Sequence, residues 1–316
     1  MSGAEMAVPP ALSRIEMPMA REGLVPAPLV RSGRNWTSWF GPLISLALLG
    51  AVFVQLGAFD FASLLGLVPR TPVFWFAFAL TYSLTPLFDW LIFRRLWGIR
   101  AGGLPALFRK RLSNELLLGY VGDVYFYAWA RGHVRMAGSP FGAVKDSAIL
   151  SGVMGNIVTL AMLAVTFPLL SSLRLAIDGR TLGVSLAILL LTSIVPMLLG
   201  RRIFSLPAPR RRMVATVHLA RIVANLLLYA WLWHLMLPDV ALSWWVMLST
   251  VRLVLSRLPL VPNKDVLFAG VATFLVGREG DIAEVLALLA SLLLATHLLV
   301  GLLLGISGVI RKRRGR

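Results

Sequence analysis

The chain is 316 residues long, 58% hydrophobic and only 14% charged, with a mean hydropathy of +0.81. Soluble domains carry about 45–50% apolar and about 25% charged residues, so this composition excludes a soluble globular protein and indicates a polytopic membrane protein. The net charge of +17 does not point to nucleic acid, because the bases gather between apolar runs, where topology and anionic lipid headgroups account for them.

Residues 1–38 mix Pro, Gly, Glu and Arg without periodicity and read as a mobile tail rather than a cleavable signal peptide. Apolar runs long enough to cross a bilayer follow near 40–59, 72–93, 147–169, 182–200, 214–236, 241–258 and 282–306. The links at 94–111 and 201–213 and the tail Arg311-Lys312-Arg313-Arg314-Gly315-Arg316 are strongly basic. The intervening links are nearly balanced in charge, so the positive-inside rule puts both termini and the basic links in the cytoplasm. The absence of cysteine excludes disulfides and thiolate metal sites and fits a bacterial inner membrane.

Two stretches do not fit a simple up-and-down bundle. The run at 241–258 contains Arg252 and Arg257 and is stopped by Pro259 and Pro262; Asn263-Lys264-Asp265 then opens a second, shorter run. With the N-terminus inside, 241–258 returns to the cytoplasm, so a single crossing at 282–306 strands the basic tail outside. The stretch 259–277 must therefore cross too, yet its ~13 helical residues cover only about 20 Å of a core about 30 Å thick. A broken or re-entrant segment satisfies both parity and length. The stretch 112–132 is similarly short and polar, and Asp123-Val124-Tyr125-Phe126 echoes Asp265-Val266-Leu267-Phe268. Interrupted segments in corresponding halves, here 39–170 and 181–310, are the pattern of transporter repeats with a central site.

The expected fold is thus an all-α membrane protein, a polytopic bundle of about seven or eight transmembrane helices with two interrupted segments in one domain at 39–310 and a short basic tail at 311–316.

Polar residues within the runs give the candidate site. His218, Arg221, Asn225 and Tyr229 recur at spacings of three and four and share a helix face; Arg221 either looks into the bundle or snorkels to the headgroups. Arg252 shares a face with Ser249 and Ser256, and Arg257 adjoins the break. Arginines converging on a cavity suit a phosphate or carboxylate, whose geometry the guanidinium fork matches; structural pairing with Asp89 or Asp265 is the alternative. Asp89, Glu115, Asp123 and Asp265 are candidates for a proton or an ion pair. Ser151, Gly155 and Thr159 read as a helix-packing face, as does the Gly301/Gly305 pair, and most tryptophans fall near interfaces.

No phosphate-binding loop, paired-aspartate motif, nucleophile elbow or HExxH spacing occurs, and the four histidines lack ligand spacing, so no cofactor or metal is expected. The paired interrupted segments, the basic link before the first and Arg257-Leu258-Pro259 with Pro262 before the second resemble the flippase-like membrane domain of the lysylphosphatidylglycerol synthase family, over about residues 40–310. The resemblance implies movement or binding of a phospholipid or polyprenyl-linked lipid; no aminoacyl-transferring domain follows residue 310. A lipid-modifying membrane enzyme and a non-catalytic scaffold subunit remain alternatives at this point. The partners expected are membrane lipids, and the oligomeric state is left open.

Overall fold

The computed structural model describes residues 69–117, 120–134, 140–172, 203–257, 264–276 and 281–314. The tail at 1–38, the crossings at 40–59 and 182–200, the prolines of the second break and residues 315–316 lie outside the described residues. Among the described residues every regular element is helical, and the protein is an all-α membrane protein. Four helices are long and apolar enough to span a bilayer. They are α1 (Pro72–Trp97), α4 (Phe141–Ser172), α5 (Ala208–Met236) and α8 (Asp281–Arg314). Between them lie short helices: α2 (Leu104–Leu116) and α3 (Val121–His133), then α6 (Leu242–Leu255) and α7 (Lys264–Val276).

Local sequence explains the bounds. Pro72 opens α1 at a position whose N–H has no helical acceptor, and Gly98 closes it in the left-handed region (φ 67°), donating its N–H to the Arg94 carbonyl at 2.8 Å. Pro86 lies inside α1 and cannot donate to the carbonyl four residues earlier, that of Tyr82. The Arg111 guanidinium of α2 donates to that freed carbonyl and lies over the Tyr82 ring, so the break in one helix becomes the anchor of another.

The short helices form two hairpins. In the first, Asn114 and Lys110 of α2 face Gly122 and Asp123 of α3, while Gly103 near the far end meets Trp129, so the two limbs run antiparallel. A Cβ at Gly122 would collide with the Lys110 backbone carbonyl; only glycine admits this approach. In the second, Arg252 of α6 and Asp265 of α7 sit level with Tyr229 of α5, whereas Trp245 and Phe268 both meet Trp233, one turn further along α5. Hence α6 runs against α5 and α7 runs with it.

The hairpins occupy opposite ends of the bundle. The first packs with the C-terminal part of α1 (Ile92, Phe93), the start of α5 (Val214, Val217) and Leu298 of α8. The second packs with the N-terminal part of α1 (Phe74, Phe78), the end of α5 (Trp233) and the start of α8 (Leu286, Leu289). Each limb has 13 or 14 residues, about 20 Å of helix, so neither hairpin limb spans a hydrocarbon core about 30 Å thick.

Two expectations change accordingly. The run at 241–258 is a half-length limb rather than a full crossing, because its helix ends at Leu255 and α7 returns toward the end it came from. Parity still holds, since an out-and-back hairpin changes no side. The basic link at 94–111 is not simply a solvated connection: its second half is α2, a helix of the bundle.

Candidate functional site

The polar groups collect at the level where the hairpin tips approach one another, on the face of α5 that carries His218, Arg221, Asn225 and Tyr229. Helix α5 touches α1, α4, α6 and α8, and its Val214 and Val217 share the apolar cluster of the first hairpin.

The first cluster is built around Asp89 of α1, which is 3% exposed. Lys110 Nζ lies 2.7 Å from Asp89 Oδ2 and 3.2 Å from Asp123 Oδ1. Arg221 Nη1 lies 3.3 Å from Asp89 Oδ1, and its Nη2 donates to Ser151 Oγ at 2.7 Å. Asn114 completes the arrangement, donating to Asp123 at 3.2 Å and accepting the Gly122 N–H at 2.7 Å. His218 is buried and shares a 3.0 Å hydrogen bond with Ser147, one turn before Ser151. Asp89 and Asp123 are thereby bridged by one lysine, the arrangement that makes buried carboxylates tolerable.

The second cluster is Arg252, Asp265 and Tyr229. Arg252 places Nε 2.7 Å and Nη2 2.5 Å from Asp265 Oδ1, its guanidinium lies 3.4 Å above the centre of the Tyr229 ring, and the Tyr229 hydroxyl donates to Asp265 Oδ2 at 3.4 Å. Asp265 lies in the first turn of α7, where the helix dipole favours a carboxylate. Lys264 donates to the Ser256 carbonyl at 2.8 Å and ties the start of α7 to the end of α6.

Arg257 stands between the clusters. Its guanidinium lies against Gly155 of α4 in the space that a Cβ would fill. Arg221, Tyr120 and Lys264 are within its electrostatic reach. Among the described residues no acid lies within ion-pair distance of Arg257, and its Nε is buried without a hydrogen-bond partner. Asn225 Oδ1, one turn beyond Arg221, is likewise buried and unpartnered among the described residues.

The sequence-derived candidates thus divide. Arg221 joins Asp89, and Arg252 joins Asp265, each as an internal ion pair; Arg257 has none among the described residues. His218 bonds Ser147 and Asp123 bonds Lys110, while Glu115 lies nearer the second cluster, so the three do not converge as an acid–base–nucleophile set. The face of Ser151 and Gly155, expected only to pack helices, receives the Arg221 and Arg257 guanidinium groups instead. Lys110, Asn114, Ser147 and Lys264 were not among the expected site residues. The available signal was spacing: Lys110 precedes Asp123 by thirteen residues, as Arg252 precedes Asp265. Among the described residues no group of three or more His, Cys, Asp or Glu is placed to hold a metal ion.

Counted together, Lys110, Arg221 and Arg257 oppose Asp89 and Asp123, and Arg111, Arg252 and Lys264 oppose Asp265 and Glu115. With every acid ionised, each group keeps one cation in excess. Compared with family models, with curated proteins and with solved structures, the chain matches none.

Proposed function

We propose that the protein binds the anionic headgroup of a membrane lipid at Arg257 and Arg221 and carries it between leaflets. In this reading it is a flippase-like transporter rather than an enzyme. The observation that carries the proposal is the Arg257 guanidinium, held in the bundle beside Arg221 without an acid of its own among the described residues. Two neighbouring guanidinium groups, of which only Arg221 pairs with a carboxylate among the described residues, favour a phosphate or carboxylate between them, since hydrogen bonds to a charged group contribute about 1.5–3 kcal/mol each. A lipid brings such a group while leaving its chains in the bilayer. The paired hairpins agree with the resemblance to the flippase-like domain of lysylphosphatidylglycerol synthases. The basic links support a multi-pass protein of the bacterial inner membrane with both termini in the cytoplasm.

A scaffold role is the competing reading, favoured by the internal pairing of Arg221 and Arg252. Fluorescent phospholipid movement in proteoliposomes separates the two. Wild type accelerates the exchange of an anionic lipid, and Arg257→Ala slows it at least tenfold with unchanged thermal unfolding. Folded wild-type protein that moves neither phospholipid nor polyprenyl phosphate removes the transport reading.

A further inference from the structure

Helices α1, α2 and α8 wall a cavity of about 590 Å³. The wall from α8 is Thr296, Val300 and Leu304, residues four apart that form one strip of the helix. The wall from α1 runs along one face from Trp75 to Ser83, where the small Ala79 and Ser83 leave room beside larger neighbours. Phe108 of α2 closes the third side and stacks on Tyr82, their ring centres 6.4 Å apart.

The cavity is long as well as roomy. Tyr82 stands level with His297, their ring centres 5.2 Å apart. Both helices run the same way, since Phe74 of α1 shares a cluster with Leu286 of α8, and Ile92 shares one with Leu298. Trp75 lies two turns before that common level and Leu304 two turns after it, so the walls extend over about 20 Å. That exceeds half of a hydrocarbon core about 30 Å thick.

Water does not suit this space. At about 30 Å³ each, roughly twenty molecules would be needed, every one seeking polar partners. Trp75 Nε1 already donates to the Pro69 carbonyl at 2.8 Å, and Thr296 Oγ1 donates to the Leu292 carbonyl at 2.7 Å. The Tyr82 and Ser83 hydroxyls remain, and that of Tyr82 is buried without a partner among the described residues. Two hydroxyls do not hold such a water cluster, whereas the bilayer around α1 and α8 supplies hydrocarbon.

Charge sets the direction of the occupant. Arg109 donates to the Leu304 carbonyl at 2.5 Å, which puts a guanidinium at that end of the cavity. Two turns further along α8 come Arg311-Lys312-Arg313-Arg314, at the end that the positive-inside rule assigns to the cytoplasm. A phospholipid whose chain points toward Trp75 brings its phosphate to this basic end.

We propose that the cavity binds one acyl chain of an anionic phospholipid from the cytoplasmic leaflet, held as a resident lipid and not as cargo. None of the lining residues belongs to α4, α5 or α6, so the site is separate from the Arg257 seat and stands without the transport reading. The chain packs against α2 and holds the first hairpin to α1 and α8. A ligand that binds only the folded protein stabilises it by mass action.

The test places the full chain in vesicles containing phosphatidylglycerol with a photoreactive diazirine near the end of one acyl chain. Labelled peptides come from α1 around Ala79 and from α8 around Val300. Ala79→Phe and, separately, Val300→Trp fill the cavity from two different walls and cut this labelling at least fivefold. Val165→Trp, on an exposed face of α4, leaves it unchanged. A phosphatidylcholine probe with the same chain labels the cavity at least threefold less. In detergent, returning phosphatidylglycerol to delipidated protein raises the unfolding midpoint of wild type and not of Ala79→Phe. Labelling spread evenly over the outer faces and insensitive to both filling substitutions overturns the proposal. So does an unlabelled cavity, the result expected if residues 40–59 or a second copy of the chain fills it. Equal labelling by the choline probe overturns the anionic preference.

Discussion

The two hairpins solve the same problem with different chemistry. In each, a base on the first limb holds an acid in the first turn of the second limb, thirteen residues later. In the first hairpin that base is Lys110, a point charge that also reaches Asp89 on α1, and Asn114 shares Asp123. In the second it is Arg252, whose planar group lies on the Tyr229 ring and spends two nitrogens on one oxygen of Asp265. The lysine ties its hairpin to the wall of the bundle, whereas the arginine closes its hairpin on itself and on α5. A compact, rotatable ammonium suits several acceptors, and a rigid fork suits one. The first hairpin is thus the anchored element and the second the more self-contained one.

Labelling tests the arrangement most severely, because its outcome is all or none. Single cysteines at Ala241 and Glu284, flanking the second hairpin, react with a membrane-impermeant maleimide from one face. Cysteines at Gly102 and His133, flanking the first, react from the other. Reaction of both sets from the same face destroys the opposed arrangement. Next in size is Asp89→Asn, which leaves Lys110 and Arg221 short of a shared counter-charge in a buried site. Breaking such a pair costs about 3–5 kcal/mol, visible as loss of monodisperse protein or a large fall in the thermal unfolding midpoint.

Double-mutant cycles then compare the hairpins directly. The Arg252–Asp265 coupling exceeds the Lys110–Asp123 coupling within the range of about 0.5–3 kcal/mol, because two guanidinium nitrogens lie 2.7 and 2.5 Å from Asp265 while the Lys110 ammonium lies 3.2 Å from Asp123. Equal couplings erase the distinction between anchored and self-contained hairpins. The finest test uses two glycines. Gly122→Ala drives a methyl into backbone and destabilises by about 1–3 kcal/mol. Gly155→Ala meets only the end of the Arg257 side chain, so it lowers lipid binding more than it lowers the unfolding midpoint. Equal stability losses at the two positions argue against a movable guanidinium at Gly155.

Much of this organisation is legible in the chain. The apolar runs locate α1, α4, α5 and α8, and the shared face of His218, Arg221, Asn225 and Tyr229 marks the α5 surface that meets both clusters. The break within 112–132 is legible too, as a run too short and too polar to cross. The role of Arg109-Lys110-Arg111 is not. A basic triplet beside an apolar run has the same composition whether it lies in headgroups or turns into the bundle. Only the fold separates the three: Arg109 reaches the Leu304 carbonyl of α8, Lys110 the two aspartates, and Arg111 the carbonyl left by Pro86. Pair identity escapes the sequence for a related reason, because Asp89 and Arg221 are 132 residues apart and no local spacing relates them.

The meeting of two half-length hairpins also has an electrical consequence. A full-length helix bundle spreads the membrane voltage across the whole hydrocarbon thickness. Were water to enter beside the half-length hairpins from each face, the drop would concentrate on what stays dry between their tips. Arg257, Lys264 and Glu115 belong to those tips, so a charge shifting past them would then exchange up to about 2.3 kcal/mol per 100 mV. Under that condition membrane voltage, and not concentration alone, would act on an ion changing place there.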